Sequence, residues 1–176
     1  MALGLGGIAK GYALDLAATA LRDRGYRDFL IYAGGQVMAS GTKDDGAPWR
    51  TGVQDPRGGA DDVFASFNVG DESVATSGDY QHAFIAAGVR YHHVIDLETG
   101  YPARRSRSAT VIAKTATLAD AYDNAALVLG PEHALELARK AGFELLLVDS
   151  AGALHGTDAL RERAIIHHFP ATRPEP

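Results

Sequence analysis

Residues 5–15 read LGGIAKGYALD, and the fold is decided by what stands on either side of them. Leu14, Ala17, Ala18 and Leu21 recur at i, i+3, i+4 and i+7, the spacing of one helical face, and Gly25 supplies the stop. Gly6, Gly7 and Lys10 therefore fall in or just before the first turn. Unpaired backbone N–H groups and the positive end of the helix dipole favour an anion there. The glycines let a ligand approach the backbone, and Lys10 adds a point charge. The plain alternative is a glycine loop entering an ordinary amphipathic helix. The overlapping stretch GLGGIA at 4–9 also fits a loose dinucleotide fingerprint, but a βαβ unit needs a strand before its glycines, and only Met1, Ala2 and Leu3 precede them. It also needs an acidic residue ending the next strand, whereas Asp28 precedes the apolar run FLIY.

Working outward, Phe29 to Tyr32 is an apolar run closed by Ala33-Gly34-Gly35, the pattern of a buried strand entering a tight turn. Residues 49–54 read as a strand ended by Asp55-Pro56-Arg57-Gly58-Gly59. Val63, Ala65, Phe67 and Val69 then alternate as in a half-buried strand. A hairpin is predicted with one arm over 82–86, a turn at Ala87-Gly88 and a second arm over 89–95, broken by Thr99-Gly100-Tyr101-Pro102. Strand signals resume over 109–113. Residues 116–129 carry helix formers with Leu118, Ala121, Tyr122, Ala125 and Leu129 on one side, and Gly130-Pro131 separates them from a second helix over 132–140. Late strands are predicted over 143–148 and 164–169, with a turn at Ser150-Ala151-Gly152 between them. Residues 170–176 are expected to be a solvated tail. Runs of strands between helices, without strict βαβ alternation, predict an α+β fold with a largely antiparallel sheet.

A chain of 176 residues, 46% hydrophobic and 22% charged, can bury a full core and is most simply one domain. The net charge of −5, with no Lys/Arg-rich run, argues against a nucleic-acid surface. The nearest candidate, Arg104, Arg105 and Arg107, is short. No apolar run approaches the roughly 18 residues of a membrane span, and no signal peptide opens the chain. The absence of cysteine excludes disulfides and thiolate-held metals. The seven histidines show no zinc-type spacing, so oxygen ligands are the better expectation.

Asp120, Asp123 and Asn124 share one predicted helix, and Asp120 with Asn124 is an i, i+4 pair on one face. Two oxygen donors there suit magnesium, which takes one or two carboxylates and fills its shell with phosphate oxygens and water. The other reading is a solvated polar face, and Asp123 is expected to be its solvated member. His92 and His93 occupy consecutive positions in YHHVIDLETGYP, so they should face opposite sides and only one can serve a given site. Histidine is the natural general base near neutral pH, and a cross-strand surface histidine is the alternative. VATSGDY offers Thr76, Ser77, Gly78 and Asp79 in a predicted loop, as a second ligand wall or as turn chemistry.

LGGIAKGYALD, YAGG, WRTGVQDPR, SVATSGDY, YHHVIDLETGYP and LADAYDNAALVLG resemble, in the same order, sequence blocks of the ApbE family, the FAD:protein FMN transferases. The resemblance covers about residues 3–150. It implies a T-fold-like α+β architecture and an enzyme that binds FAD with Mg2+, splits its pyrophosphate and attaches FMN by a phosphodiester to a threonine of an acceptor protein, releasing AMP. By this resemblance the metal ligands are the Gly7 carbonyl, Asp120 and Asn124. Gly6, Lys10, Ser77, Gly78 and His93 contact the flavin nucleotide, with His93 also the base. Asn124 stands where the family has threonine, Gly4 where it has aspartate, and Leu97 where it has proline. FAD pyrophosphatase activity and a non-catalytic nucleotide-binding homologue are the alternatives. The family's N-terminal part, which forms much of the flavin pocket, has no counterpart in residues 1–170, read here as the family's C-terminal part. Weak FAD binding and a homo-oligomer are therefore expected. Family members are often exported.

Overall fold

The computed structural model of the chain describes residues 4–172. Helix α1 (Ala9–Asp23) leads into strands β1 (Phe29–Ala33), β2 (Gln36–Ser40), β3 (Trp49–Gln54), β4 (Val63–Val69) and β5 (Glu72–Gly78). A short hairpin, β6 (Phe84–Ala86) and β7 (Val89–Tyr91), precedes β8 (Ser106–Ala113) and helices α2 (Ala116–Leu129) and α3 (Pro131–Ala141). Strands β9 (Glu144–Asp149) and β10 (Leu154–Gly156), helix α4 (Asp158–Arg163) and strand β11 (Ile165–Ile166) follow.

Six strands form one sheet in the order β1-β2-β5-β8-β9-β10, and β11-β4-β3 form a second. Their ladders are antiparallel throughout, which makes the fold α+β as predicted. Strand β8 is buried at all eight residues, so the large sheet is covered on both faces. Successive side chains of a strand point to opposite sides, and the core divides accordingly. Ala75, Val111, Leu145 and Leu147 pack with Ala119, Ala126 and Leu127 of α2 and Ala138 of α3. Their neighbours Val74, Ile112, Leu146 and Val148 turn the other way, onto Val53, Phe64 and Phe67 of the small sheet. Burying a ring such as Phe64 fully contributes about 1.5–3 kcal/mol. Helix α1 closes the β1 end through Leu14 and Ala18 against Phe29, Met38 and Ala116.

Several expectations need correction. Thr76, Ser77 and Gly78 are not in a loop but end β5, paired with Thr110, Ala109 and Ser108 of β8. Their turn-like composition is overridden by the β8 ladder, which runs on past the last β2 partner at Ala75, and Asp79 lies one residue beyond. The predicted hairpin shrinks to three residues per arm, with Ala87 (φ 49°) and Gly88 (φ 74°) at its turn. No residue of β6 or β7 is buried, so nothing extends the pairing to His82 or to His92–Ile95. The expected strand over 164–169 reduces to the exposed β11. The expected side of α2 is only partly the inward one: Tyr122 and Leu129 pack against the core, but Leu118 is 44% exposed, and the buried residues are Ala116, Ala119, Asp120, Asp123, Ala126 and Leu127. Small side chains let α2 sit close to the sheet, and that proximity selects the face. Strands β2 and β10 and helix α4 lie outside the sequence expectation. Of the expected tail, Pro170 is buried and the Ala171 carbonyl accepts from Arg107 Nη1 at 2.6 Å, while residues 173–176 lie outside the described residues, as do residues 1–3.

Candidate active site

Helices α1 and α2 are locked to each other by an exchange of carboxylates. Asp15 of α1 accepts the N–H groups of Ala116 (2.8 Å) and Thr117 (2.9 Å) at the start of α2. Asp120 of α2 accepts the Gly11 N–H (2.9 Å) in the first turn of α1. Each carboxylate sits at the positive end of the other helix, where unpaired N–H groups favour an anion. The helices also touch directly: a Cβ on Gly11 would lie 2.2 Å from the Ala116 carbonyl oxygen. Only glycine allows this crossing.

The crossing assembles a polar cluster. Asp120 Oδ1 pairs with Lys10 Nζ at 2.7 Å, and the same ammonium donates to Gln36 Oε1 at 2.6 Å. Gln36, wholly buried at the start of β2, donates in turn to the Ala116 carbonyl (2.7 Å) and Ser73 Oγ (3.2 Å). Asn124 Nδ2 donates to Asp123 Oδ1 (2.9 Å) and to the Asp120 carbonyl (3.0 Å), and Asn124 Oδ1 accepts from Ser77 Oγ at 3.1 Å. The turn at Gly6–Ile8 lies beside them, since a Cβ on Gly7 would meet Asn124 Nδ2 at 3.5 Å. The structure thus brings together Gly7, Lys10, Ser77, Asp120 and Asn124, with Gly6 in the same turn and Gly78 next to Ser77. A Cβ on Gly78 would lie 2.3 Å from the Tyr80 ring, so glycine is needed there to pass under the tyrosine.

Asp123 is a member that the sequence reading misplaces. It is 2% exposed rather than solvated. Burial pushes its carboxyl up to about 8; the Lys10 ammonium pulls against this, and the Asp120 charge adds to it. The available signal is its place one turn from Asp120 on a helix rich in alanine. Gln36 is the other missed residue, for which a polar side chain directly after a Gly-Gly turn is the only sign.

The two histidines divide as expected, although neither lies in a strand. His92 is buried with Nε2 2.8 Å from the Ala103 carbonyl. His93 is exposed, its Nδ1 3.1 Å from the Gln81 carbonyl and its ring edge-on to His82 with centroids 5.4 Å apart. Gln81 stands four residues beyond Ser77, which ties the His93 loop to the end of β5.

The cluster offers two carboxyls, an amide oxygen and a hydroxyl, with one lysine among them. A carboxylate has about four acceptor positions, and Asp120 uses two of them on Lys10 and Gly11. Oxygen donors around a buried carboxyl that resists ionisation fit a hard divalent cation, whose charge would hold Asp123 ionised. No helix among the described residues is long and apolar enough to cross a membrane.

Comparison with known proteins shows the family. The sequence model of the ApbE family matches residues 1–147. The FAD:protein FMN transferase of Escherichia coli K12 is 36% identical over 146 residues, 82% of this chain but 42% of that protein. That of Rhodobacter capsulatus is 36% identical over 173 residues, 96% of this chain and 32% of its own length. Among solved structures, the ApbE protein of Thermotoga maritima superposes with a TM-score of 0.84 at 42% identity, covering 92% of this chain and 53% of that one. The apo flavinyl transferase ApbE of Pseudomonas stutzeri gives 0.77 at 34% identity, covering 96% and 52%. The chain spans about half the length of these structures and less of the curated relatives. In sequence and in fold, it belongs to the ApbE family.

Proposed function

We propose that the protein acts as a magnesium-dependent FAD:protein FMN transferase, moving FMN from FAD to a threonine hydroxyl of an acceptor protein with release of AMP. The observation that carries this reading is the convergence of two buried carboxyls, Asp120 and Asp123, with Lys10 and the glycine turn where α1 meets α2. The names borne by the relatives support the substrate class.

In this reading Asp120, Asp123, Asn124 Oδ1 and the Gly7 carbonyl hold Mg2+, which when bound neutralises charge on the pyrophosphate. Lys10, Gly6 and the α1 N-terminus bind the phosphates from one side, and Ser77 and Gly78 from the other. His93 takes the proton of the incoming threonine hydroxyl as its oxygen bonds to the FMN phosphorus. The pyrophosphate P–O bond breaks and AMP leaves with the electron pair. His93 is exposed, as a base that meets a macromolecular acceptor must be; His92 is not. Leu5, Ile8, Tyr12 and Leu16 are exposed at the start and along the outside of α1, apolar surface that supports the expected association of chains.

Incubation with FAD and Mg2+ tests the reading. AMP release only with a threonine-bearing acceptor, and flavin fluorescence on that acceptor, is the expected result. AMP without acceptor labelling identifies an FAD pyrophosphatase. FAD binding without AMP identifies a nucleotide-binding homologue.

A further inference from the structure

Asp55 follows β3, Asp62 precedes β4, and His168 follows β11, 113 residues beyond Asp55. One ligand-type atom from each lies within 4.8 Å of the others. None of the three belongs to the cluster between α1 and α2.

The contacts are odd for a salt bridge. His168 Nε2 stands 3.2 Å from Asp55 Oδ2 and 3.4 Å from Asp62 Oδ1. A single ring N–H can point at only one of two carboxylates, and charge-assisted N–H···O bonds settle at about 2.7–2.9 Å. Both separations are longer. Three ligands around a tetrahedral ion with bonds of about 2.0–2.2 Å lie about 3.3–3.6 Å apart along each edge. The two contacts to Nε2 are close to that spacing.

The surroundings fix the donors. Asp55 is 3% exposed; its Oδ1 accepts the Arg57 N–H at 2.8 Å, which turns Oδ2 towards His168, its one hydrogen-bond partner among the described residues. Asp62 leans over Gly58, where a Cβ would lie 2.3 Å from the Asp62 carboxylate. His168 is carried by β11, whose pairing to Ser66 and Ala65 continues as the His167 N–H donates to the Phe64 carbonyl at 2.8 Å.

We propose that Asp55, Asp62 and His168 form a second cation site, of the zinc class, with three protein ligands and a fourth position open to water. An imidazole among carboxylates favours Zn2+ over Mg2+, which prefers oxygen alone. The ion clips the segment after β11 to the loop between β3 and β4.

The test is calorimetric titration of Zn2+ into the tag-free chain in excess Mg2+, with Co2+ as a spectroscopic probe. One equivalent of Zn2+ is expected, and Co2+ should give the visible absorption of a tetrahedral site. His168→Gln, at a side chain 41% exposed and so compatible with folding, should weaken Zn2+ binding by about a hundredfold and abolish the Co2+ band. Asp62→Asn should do the same, whereas Asp120→Asn should leave Zn2+ binding intact. A chain that takes up no Zn2+, or a His168→Gln variant that binds it as the parent does, overturns the proposal.

Discussion

The cluster between α1 and α2 and the hairpin that leads to His93 are built to opposite standards. Asp120 and Asp123 are 2% exposed and Gln36 not at all, and their hydrogen bonds interlock across α1, α2 and β2. The hairpin has three-residue arms with no buried side chain, and His93 rests on one backbone carbonyl and the edge of a second imidazole. The first region is held by packing and cannot be altered without cost to the fold. The second is held by local turns, so changes there should register in rate and hardly in stability.

The sharpest way to break this contrast is Asp120→Ala. Removing one partner of a buried pair costs about 3–5 kcal/mol, and with the Lys10 side chain 33% exposed the loss should fall near the lower end, about 3 kcal/mol. Denaturant unfolding measures it, and titration should show Mg2+-dependent FAD binding abolished. Unchanged magnesium dependence would rule out the metal assignment.

Next comes the histidine pair. His93→Ala should lower AMP release by about 10²- to 10⁴-fold and leave stability within about 0.5 kcal/mol. His92→Ala should do the reverse, costing about 1–3 kcal/mol because the Ala103 carbonyl loses a buried partner. Equal, small effects of both on rate would remove His93 from the mechanism.

A smaller effect belongs to Asp123. In the metal-free protein the folded carboxyl keeps its proton up to about 8, whereas an ordinary aspartate loses it near 3.8. Between these values the native state binds the extra proton, so this contribution is full below about pH 4 and is lost as pH rises through 8. Asp123→Asn should flatten that decline, and Mg2+ should oppose it. A metal-free stability that climbs across this window refutes the sign. The smallest change is Asn124→Thr, which removes the three hydrogen bonds of the amide but restores the hydroxyl donor of the family. Magnesium affinity should hold or improve, and a clear loss in titration would show that the amide itself is required.

What the sequence made legible follows the same contrast. The limits of α2, β3 and β4 are read correctly because punctuation and periodicity coincide there, with Gly130-Pro131 and Asp55-Pro56 as stops. The split of His92 from His93 survives even without a strand, since an extended backbone alternates its side chains regardless of pairing. Thr76, Ser77 and Gly78 are misread because what draws polar turn-type residues into a strand here is a partner far along the chain, the β8 ladder at Ser108–Thr110. Asp123 is misread because large side chains were used to orient α2, while the sheet and α1 select its small ones.

The crossing at Gly11 makes the distance between the glycine turn and the α2 carboxyls a matter of backbone thickness alone. Side chains elsewhere on either helix can change without resetting it, as a ruler is unaffected by what is written beside it. A methyl group at position 11 would act as a spacer, and the proposed cation site would widen with it. Bond lengths of about 2.0–2.1 Å suit Mg2+ and about 2.3–2.6 Å suit Ca2+, so Gly11→Ala should move the ion preference towards calcium. One missing side chain, on a backbone that bonds to Asp120, would thereby set which ion the proposed site admits.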